Sequence, residues 1–289
     1  MSPASTPFMA LACPLDGAAL ARRDGCWQCA AGHTFDIASQ GYVNLLPVQH
    51  KRSRDPGDSK EMVVARRRFL EAGHYQPIAD AISAATLDAA TLNAPAQAGP
   101  LACLDAGCGE GYYLRALAAA GAAGTLSLIG LDISKWAVLA AARKDGDATW
   151  VVGSNARLPI LSATLDRVLC LFGFPVHAEF ARVLKPGGVL LQLDAGPAHL
   201  RALRQIIYPQ LKAERATELG PPAGFELLDS STLQFDFEVG SQAAIADLLT
   251  MTPHLYRTSP AGRERAAALT RIALGADVRL TRYRRIAAA

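Results

Sequence analysis

From residue 101 onward, short apolar runs alternate with stretches of helical period: LACLDAG, YYLRALAAAG, LSLIGLDI, SKWAVLAAARK and TWVVGS follow one another. Strands flanked by helices in this way are covered on both faces, and the strand–helix–strand alternation closes into a parallel sheet. LDRVLCLFG, GGVLLQLDA, LQFDFEVG and DVRLTRYRR extend the series, so the sequence predicts an α/β chain with a doubly wound sheet of seven strands. Ahead of it, KEMVVARRRFLEA (60–72) puts Met62, Ala65, Phe69 and Ala72 on one helical face with Gly73 as a stop, and a second helix is expected from Gln76 to about Leu92.

The turn after the first run, LDAGCGEGYY (104–113), sets Gly107, Gly109 and Gly111 between a buried strand and a helix, where a missing Cβ lets a ligand approach the backbone. A dinucleotide loop spaces its glycines G-x-G-x-x-G; here the third arrives one residue early, which disfavours a pyrophosphate. The second strand ends at Asp132, placed either to accept hydrogen bonds from two ribose hydroxyls or merely to cap the helix that follows. Asp105, the GCGEG loop, Asp132 and the later KPGG turn (185–188) together resemble the S-adenosylmethionine-dependent methyltransferases, which have a Rossmann-like seven-stranded fold. That resemblance implies that Asp105 and the glycine loop face the methionine end of the cofactor. It also implies that Asp132 holds the ribose and that Ser154, Asn155 and Leu158 lie beside the adenine. The carboxylates of Asp105 and Glu110 suit a sulfonium cation better than a phosphate.

CPLDGAALARRDGCWQCAAGHTFD (13–36) gathers thiols and an imidazole in a turn-rich segment, a donor set that zinc takes tetrahedrally. Asp16 stands where a second cysteine would be usual. The candidate ligands are therefore Cys13, Cys29 and His33, with either Asp16 or Cys26 as the fourth donor; Cys26 forms a C-x-x-C pair with Cys29. Six cysteines so scattered do not make a disulfide framework in an intracellular protein of this size.

Between the module and the glycine loop, GYVNLLPVQHKRSRDPGDSKEMVVARRRFLEAGHYQPIADAI (41–82) looks like one methyltransferase family, the large-subunit (23S) rRNA guanine-N1 methyltransferases, whose N-terminal module is zinc-ribbon-like. The resemblance runs from about Cys13 to the last strand and departs from the family at Asp16. It implies methyl transfer to N1 of one guanine in a hairpin of 23S rRNA, a zinc module that helps grip the RNA, and a homodimer. By motif, Tyr75 in GHYQP, Gly109 and Glu110 in the loop, and His199 in GPAHL match cofactor-contacting positions. Asp194 and His177 lie at strand ends, but no motif makes either a base, so no catalytic residue is named. Phe172, Phe174 and Pro175 in LFGFP offer either a slot for an unstacked base or ordinary core.

The net charge of +3 hides an asymmetry, since residues 51–70 and 257–285 together carry +10 and the remainder −7. A basic footprint on an acidic body suits a polyanion, and Lys51, Arg52, Arg54, Arg66, Arg67 and Arg68 are the candidate phosphate contacts. The expected organisation is an RNA-recognition module at 1–50, a basic linker and helix at 51–73, and a methyltransferase domain at 74–289. No run approaches the ~20 apolar residues of a membrane span, and no basic stretch precedes an apolar one at the start, so the sequence reads as cytoplasmic. Two other readings compete: a methyltransferase for a small molecule or protein, and a non-catalytic RNA-binding protein.

Overall fold

The computed structural model describes residues 5–50, 53–88, 99–210, 220–252, 254 and 258–287. Three short antiparallel strands, β1 (Leu20–Arg23), β2 (Cys26–Cys29) and β3 (Thr34–Asp36), form a small sheet in that order. Asp24 and Gly25 make the first turn, with Gly25 at φ +76°. A further strand, β4 (Tyr42–Asn44), then leaves the small sheet and pairs in parallel with β7 (Thr149–Val152), Val43 lying opposite Val151.

The large sheet has β5 (Leu101–Ala106), β6 (Leu126–Asp132), β7, β8 (Leu165–Leu171) and β9 (Leu184–Ala195) in parallel. Two long antiparallel strands, β10 (Phe225–Val239) and β11 (Ile272–Arg285), dock through β11 onto β9. The spatial order is β10-β11-β9-β8-β5-β6-β7-β4. All seven expected strands are present, and β4 is an eighth, supplied by the segment expected to lie wholly within the N-terminal module.

Every residue of β8 is buried, and its side chains alternate between two cores: Leu169 and Leu171 enter one, Val168 and Cys170 the other. The first core is filled from α1 (Lys60–Glu71), α2 (Gln76–Leu87), α3 (Tyr112–Ala120), α4 (Lys135–Lys144), α6 (Arg201–Ile207), α7 (Gln242–Thr250) and α8 (Pro260–Ala267). The second takes Phe180 and Val183 from α5 (His177–Val183) and Phe8, Leu11, Cys13, Leu20 and Trp27 from the N-terminal region. The Cys/His module thus stands where a helix layer would otherwise cover the sheet.

Helix α1 starts at Ser59, whose hydroxyl accepts from the Met62 N–H, and buries Met62, Val63, Ala65, Phe69 and Leu70. Helix α2 ends at Leu87, five residues earlier than expected; Asp88 leaves it with ψ 108° and pairs with Arg282 of β11 at 2.8 Å. That long-range ion pair is invisible to local helix propensity.

Candidate cofactor cleft and metal centre

Strand order runs outward from β5 in both directions, so its carboxyl end lies at the point where an open sheet forms a ligand crevice. The glycine loop turns there into α3, whose N-cap is Gly111 at φ +80° with no side-chain cap. Glycine is required at 111 twice over: a Cβ would also meet the Trp150 ring at 2.5 Å.

Four buried oxygens around this loop have no hydrogen-bond partner among the described residues: both carboxylate oxygens of Asp105, Oε1 of Glu110 and Oδ1 of Asn155. Unsatisfied buried acceptors are costly, so several in one place mark a binding site for donors or a cation. Burial, aided by the charge of Asp132, pushes the Asp105 carboxyl up to about 8. Burial also raises Glu110, against the pull of Arg115, which binds its other oxygen at 2.7 Å. Asn155 donates to the Ala106 carbonyl at 3.3 Å, which fixes its amide beside the end of β5. Asp132 accepts from the Gly109 N–H at 2.9 Å and the Ser134 N–H at 2.8 Å, and each oxygen keeps a further lone pair for a hydroxyl. Ser154 accepts from the Ala156 N–H at 3.2 Å. Leu158 is drawn elsewhere: it is buried in the second core and its N–H is taken by Glu179 at 2.7 Å.

Across the crevice, Tyr75 and His199 meet through Oη and Nε2 at 3.0 Å. The Asp277 N–H donates to Nδ1 of His199 at 3.2 Å, so the neutral ring carries its proton on Nε2 and donates to Tyr75. Burial holds His199 down to about 4, keeping it neutral at pH 7. The Asp277 carboxylate accepts from the Ala198 N–H at 2.8 Å and from Gln234 at 3.1 Å. It lies so close to Gly196 that a Cβ there would be 2.4 Å away. Sequence reasoning missed Asp277; its signal is a lone acid between Ala276 and Val278 in an otherwise apolar stretch. His177 donates from Nε2 to Gln192 Oε1 at 3.1 Å, and Gln192 donates to Asp194 at 2.7 Å, a chain on the far side of β9.

In the N-terminal module, donor atoms of Cys13, Asp16, Cys29 and His33 all lie within 4.8 Å of one another. His33 Nδ1 is 3.5 Å from Cys13 Sγ, 3.4 Å from Cys29 Sγ and 3.0 Å from Asp16 Oδ2, and Cys29 Sγ is 3.4 Å from Asp16 Oδ2. Around a tetrahedral zinc ion, bond lengths of ~2.3 Å to sulfur and ~2.0 Å to nitrogen or oxygen put such donors roughly 3.3 to 3.8 Å apart. The residues therefore fit the ion. The Ala18 N–H, bound to Asp16 Oδ1 at 2.9 Å, is the main reason that carboxyl is lowered to about 2. Cys26 is not in the cluster: it and Cys29 are the two ends of β2, three residues apart, and so face opposite sides of the strand.

Residues 11–54 match a family model described as RlmA, N-terminal, of the zinc-ribbon type, and residues 103–188 match one described as a methyltransferase domain. A protein of Micromonospora griseorubida, provisionally named a 23S rRNA (guanine-N(1)-)-methyltransferase, is 35% identical over 96% of this chain and 97% of its own. The chain belongs to the 23S rRNA guanine-N1 methyltransferase family. A second relative, the 23S rRNA (guanine(748)-N(1))-methyltransferase of Streptomyces fradiae, is 35% identical over 67% of this chain and 66% of its own.

For a member of this family the basic residues are the expected RNA contacts, and the structure divides them. Arg66 ion-pairs with Asp58 and donates to the Met251 carbonyl at 2.9 Å, and a Cβ on Gly109 would be 3.5 Å from its Nη1. It therefore lies along the glycine loop. Arg68 is held by Asp247 at 2.7 Å. Arg54 is exposed and Arg67 half-buried, neither with a carboxylate partner among the described residues; Lys51 and Arg52 lie outside them. In the second basic segment, Arg282 binds Asp88 and Asp229, Arg284 binds Glu226 and Arg271 binds Glu238. Much of the charge counted in the sequence is thus neutralised within the chain. No helix among the described residues is long and apolar enough to cross a membrane.

Proposed function

We propose that this enzyme transfers a methyl group from S-adenosylmethionine to N1 of one guanine in a hairpin of 23S rRNA, working in the cytoplasm as a homodimer. The observation that carries the reading is the set of unpartnered buried acceptors on Asp105, Glu110 and Asn155 at the switch point. The full-length family match gives the substrate class.

S-adenosylmethionine supplies an activated methyl group on a positively charged sulfur. Asp105 and Glu110 would face its cationic amino-acid end, and Asp132 its ribose hydroxyls. Gly107 and Gly109, both at positive φ, leave room for it against the backbone. Tyr75, its ring packed by Phe69 at 5.1 Å and its hydroxyl occupied by His199, forms a rigid wall. Cys13, Asp16, Cys29 and His33 would hold zinc, which fixes the hairpin that carries the exposed Arg22 and Arg23. Those two arginines join Arg54 and Arg67 as phosphate contacts. Guanine N1 carries a proton at neutral pH that must leave as the methyl group arrives; a base that takes it would add ~10²-fold or more, and alignment of N1 with the methyl group would supply much of the remaining rate.

The test is primer extension and mass mapping of 23S rRNA incubated with the protein and S-adenosylmethionine. A new stop at a single guanine is the expected result. Methylation of protein or small molecules with no rRNA product would replace this reading.

A further inference from the structure

The turn that follows β8 holds an exposed pair of aromatic side chains, Phe172 and Phe174, at the sheet's carboxyl edge. Phe172 has φ +53°, a left-handed conformation that disfavours any residue with a Cβ, although a glycine is available one position later. Its N–H donates to the Leu193 carbonyl at 2.8 Å, which locks the turn to the end of β9. Its ring lies 6.1 Å from Tyr75 at an interplanar angle of 26°, and 5.7 Å from His199. Even so, 39% of Phe172 is exposed, and Phe174 is 89% exposed. Gly173 between them sits where a Cβ would be 3.7 Å from the Ala106 carbonyl, so the turn abuts the glycine loop beside Asp105.

Strands β6 and β8 flank β5 on opposite sides. Asp132 ends β6, so the nucleoside half of the cofactor is placed on that side, which leaves the β8 side of Asp105 to the methyl acceptor. We propose that Phe172 and Phe174 form the receiving wall for the unstacked target guanine, with Phe172 as the aromatic face on which the base lies. A flat aromatic surface held out to solvent next to a methyl-donor site suits a nucleobase taken from its stack. The strained backbone aims that surface, and Tyr75 and His199 stiffen it from behind. This proposal rests on the rRNA reading above.

Phe172→Gly removes the ring while relieving the backbone, so folding is not at stake; Phe172→Tyr keeps the aromatic face. Single-turnover methylation of a 23S rRNA fragment by Phe172→Gly is expected to slow at least ~50-fold, with S-adenosylmethionine affinity within about threefold of the parent and Tm not lowered. Phe172→Tyr should restore the rate, and Phe174→Ala should slow it about fivefold. With 2-aminopurine in place of the target guanine, the fluorescence change seen with the parent protein should be lost in Phe172→Gly. Parent-like methylation by Phe172→Gly overturns the proposal, as does a loss of cofactor affinity that matches the loss of rate. A parent protein inert on rRNA removes the underlying reading and this one with it.

Discussion

Two aspartates in this chain are kept in opposite ways. Asp16 in the N-terminal module is exposed, receives the Ala18 N–H and is lowered to about 2. Asp105 at the end of β5 is 1% exposed, receives nothing and is raised to about 8. A carboxylate supplied with a donor stays ionised and available to a metal at any physiological pH, whereas one sealed away keeps a proton until a cation displaces it. The first arrangement suits a permanent structural ion, the second a cofactor that comes and goes.

The comparison breaks most visibly if zinc is dispensable. Chelation should release one zinc per chain and cost several kcal/mol of stability, because Cys13 and Cys29 also belong to the second core. Calorimetry with metal analysis checks this, and an unchanged Tm in zinc-free protein would refute it. Next in size, Asp105→Asn should weaken S-adenosylmethionine binding ~10²-fold or more, as expected when a buried charge partner is lost. The same substitution tests the pH linkage. A carboxyl raised to about 8 from about 4 in the unfolded chain contributes stability that is full below pH 4 and lost as pH rises through 8. Ligand-free parent protein should therefore lose stability relative to Asp105→Asn across that window, and parallel melting curves would show that Asp105 is ionised throughout. Asp132→Ala should weaken cofactor binding roughly tenfold, the value of a hydrogen bond to a charged group, with RNA affinity unchanged by filter binding. The smallest effect belongs to Arg54→Ala, which should reduce the slope of log affinity against log salt for RNA by about one. An unaltered slope would remove Arg54 from the interface.

The glycine loop, the seven strands and the place of Asp132 at the end of β6 were legible because each is a local pattern of a few residues. What escaped is non-local. β4 is three residues long and finds its partner about a hundred positions away in β7. The choice between Asp16 and Cys26 turned on Cys26 and Cys29 lying in one strand, β2, where residues three apart face opposite sides, whereas a turn would have let both thiols reach one ion. A run of arginines cannot disclose that Asp247, 179 positions on, will neutralise Arg68, or that Arg66 will reach the Met251 carbonyl. Phe172 reads in sequence as either a slot for an unstacked base or ordinary core, and only its backbone angle and exposure set it apart from core.

Because β4 is hydrogen-bonded into the large sheet and Leu11 bridges to Ile160, the Cys/His module is not a tethered accessory. A tethered grip would leave the enzyme free to sample any guanine within the sweep of its linker. With the proposed RNA contacts on this module, a grip bonded to the same sheet that ends in the cleft would act instead as a fixed calliper. Selection of one nucleotide would then become a measurement of distance along the folded RNA, set by the length of rigid protein between the two jaws.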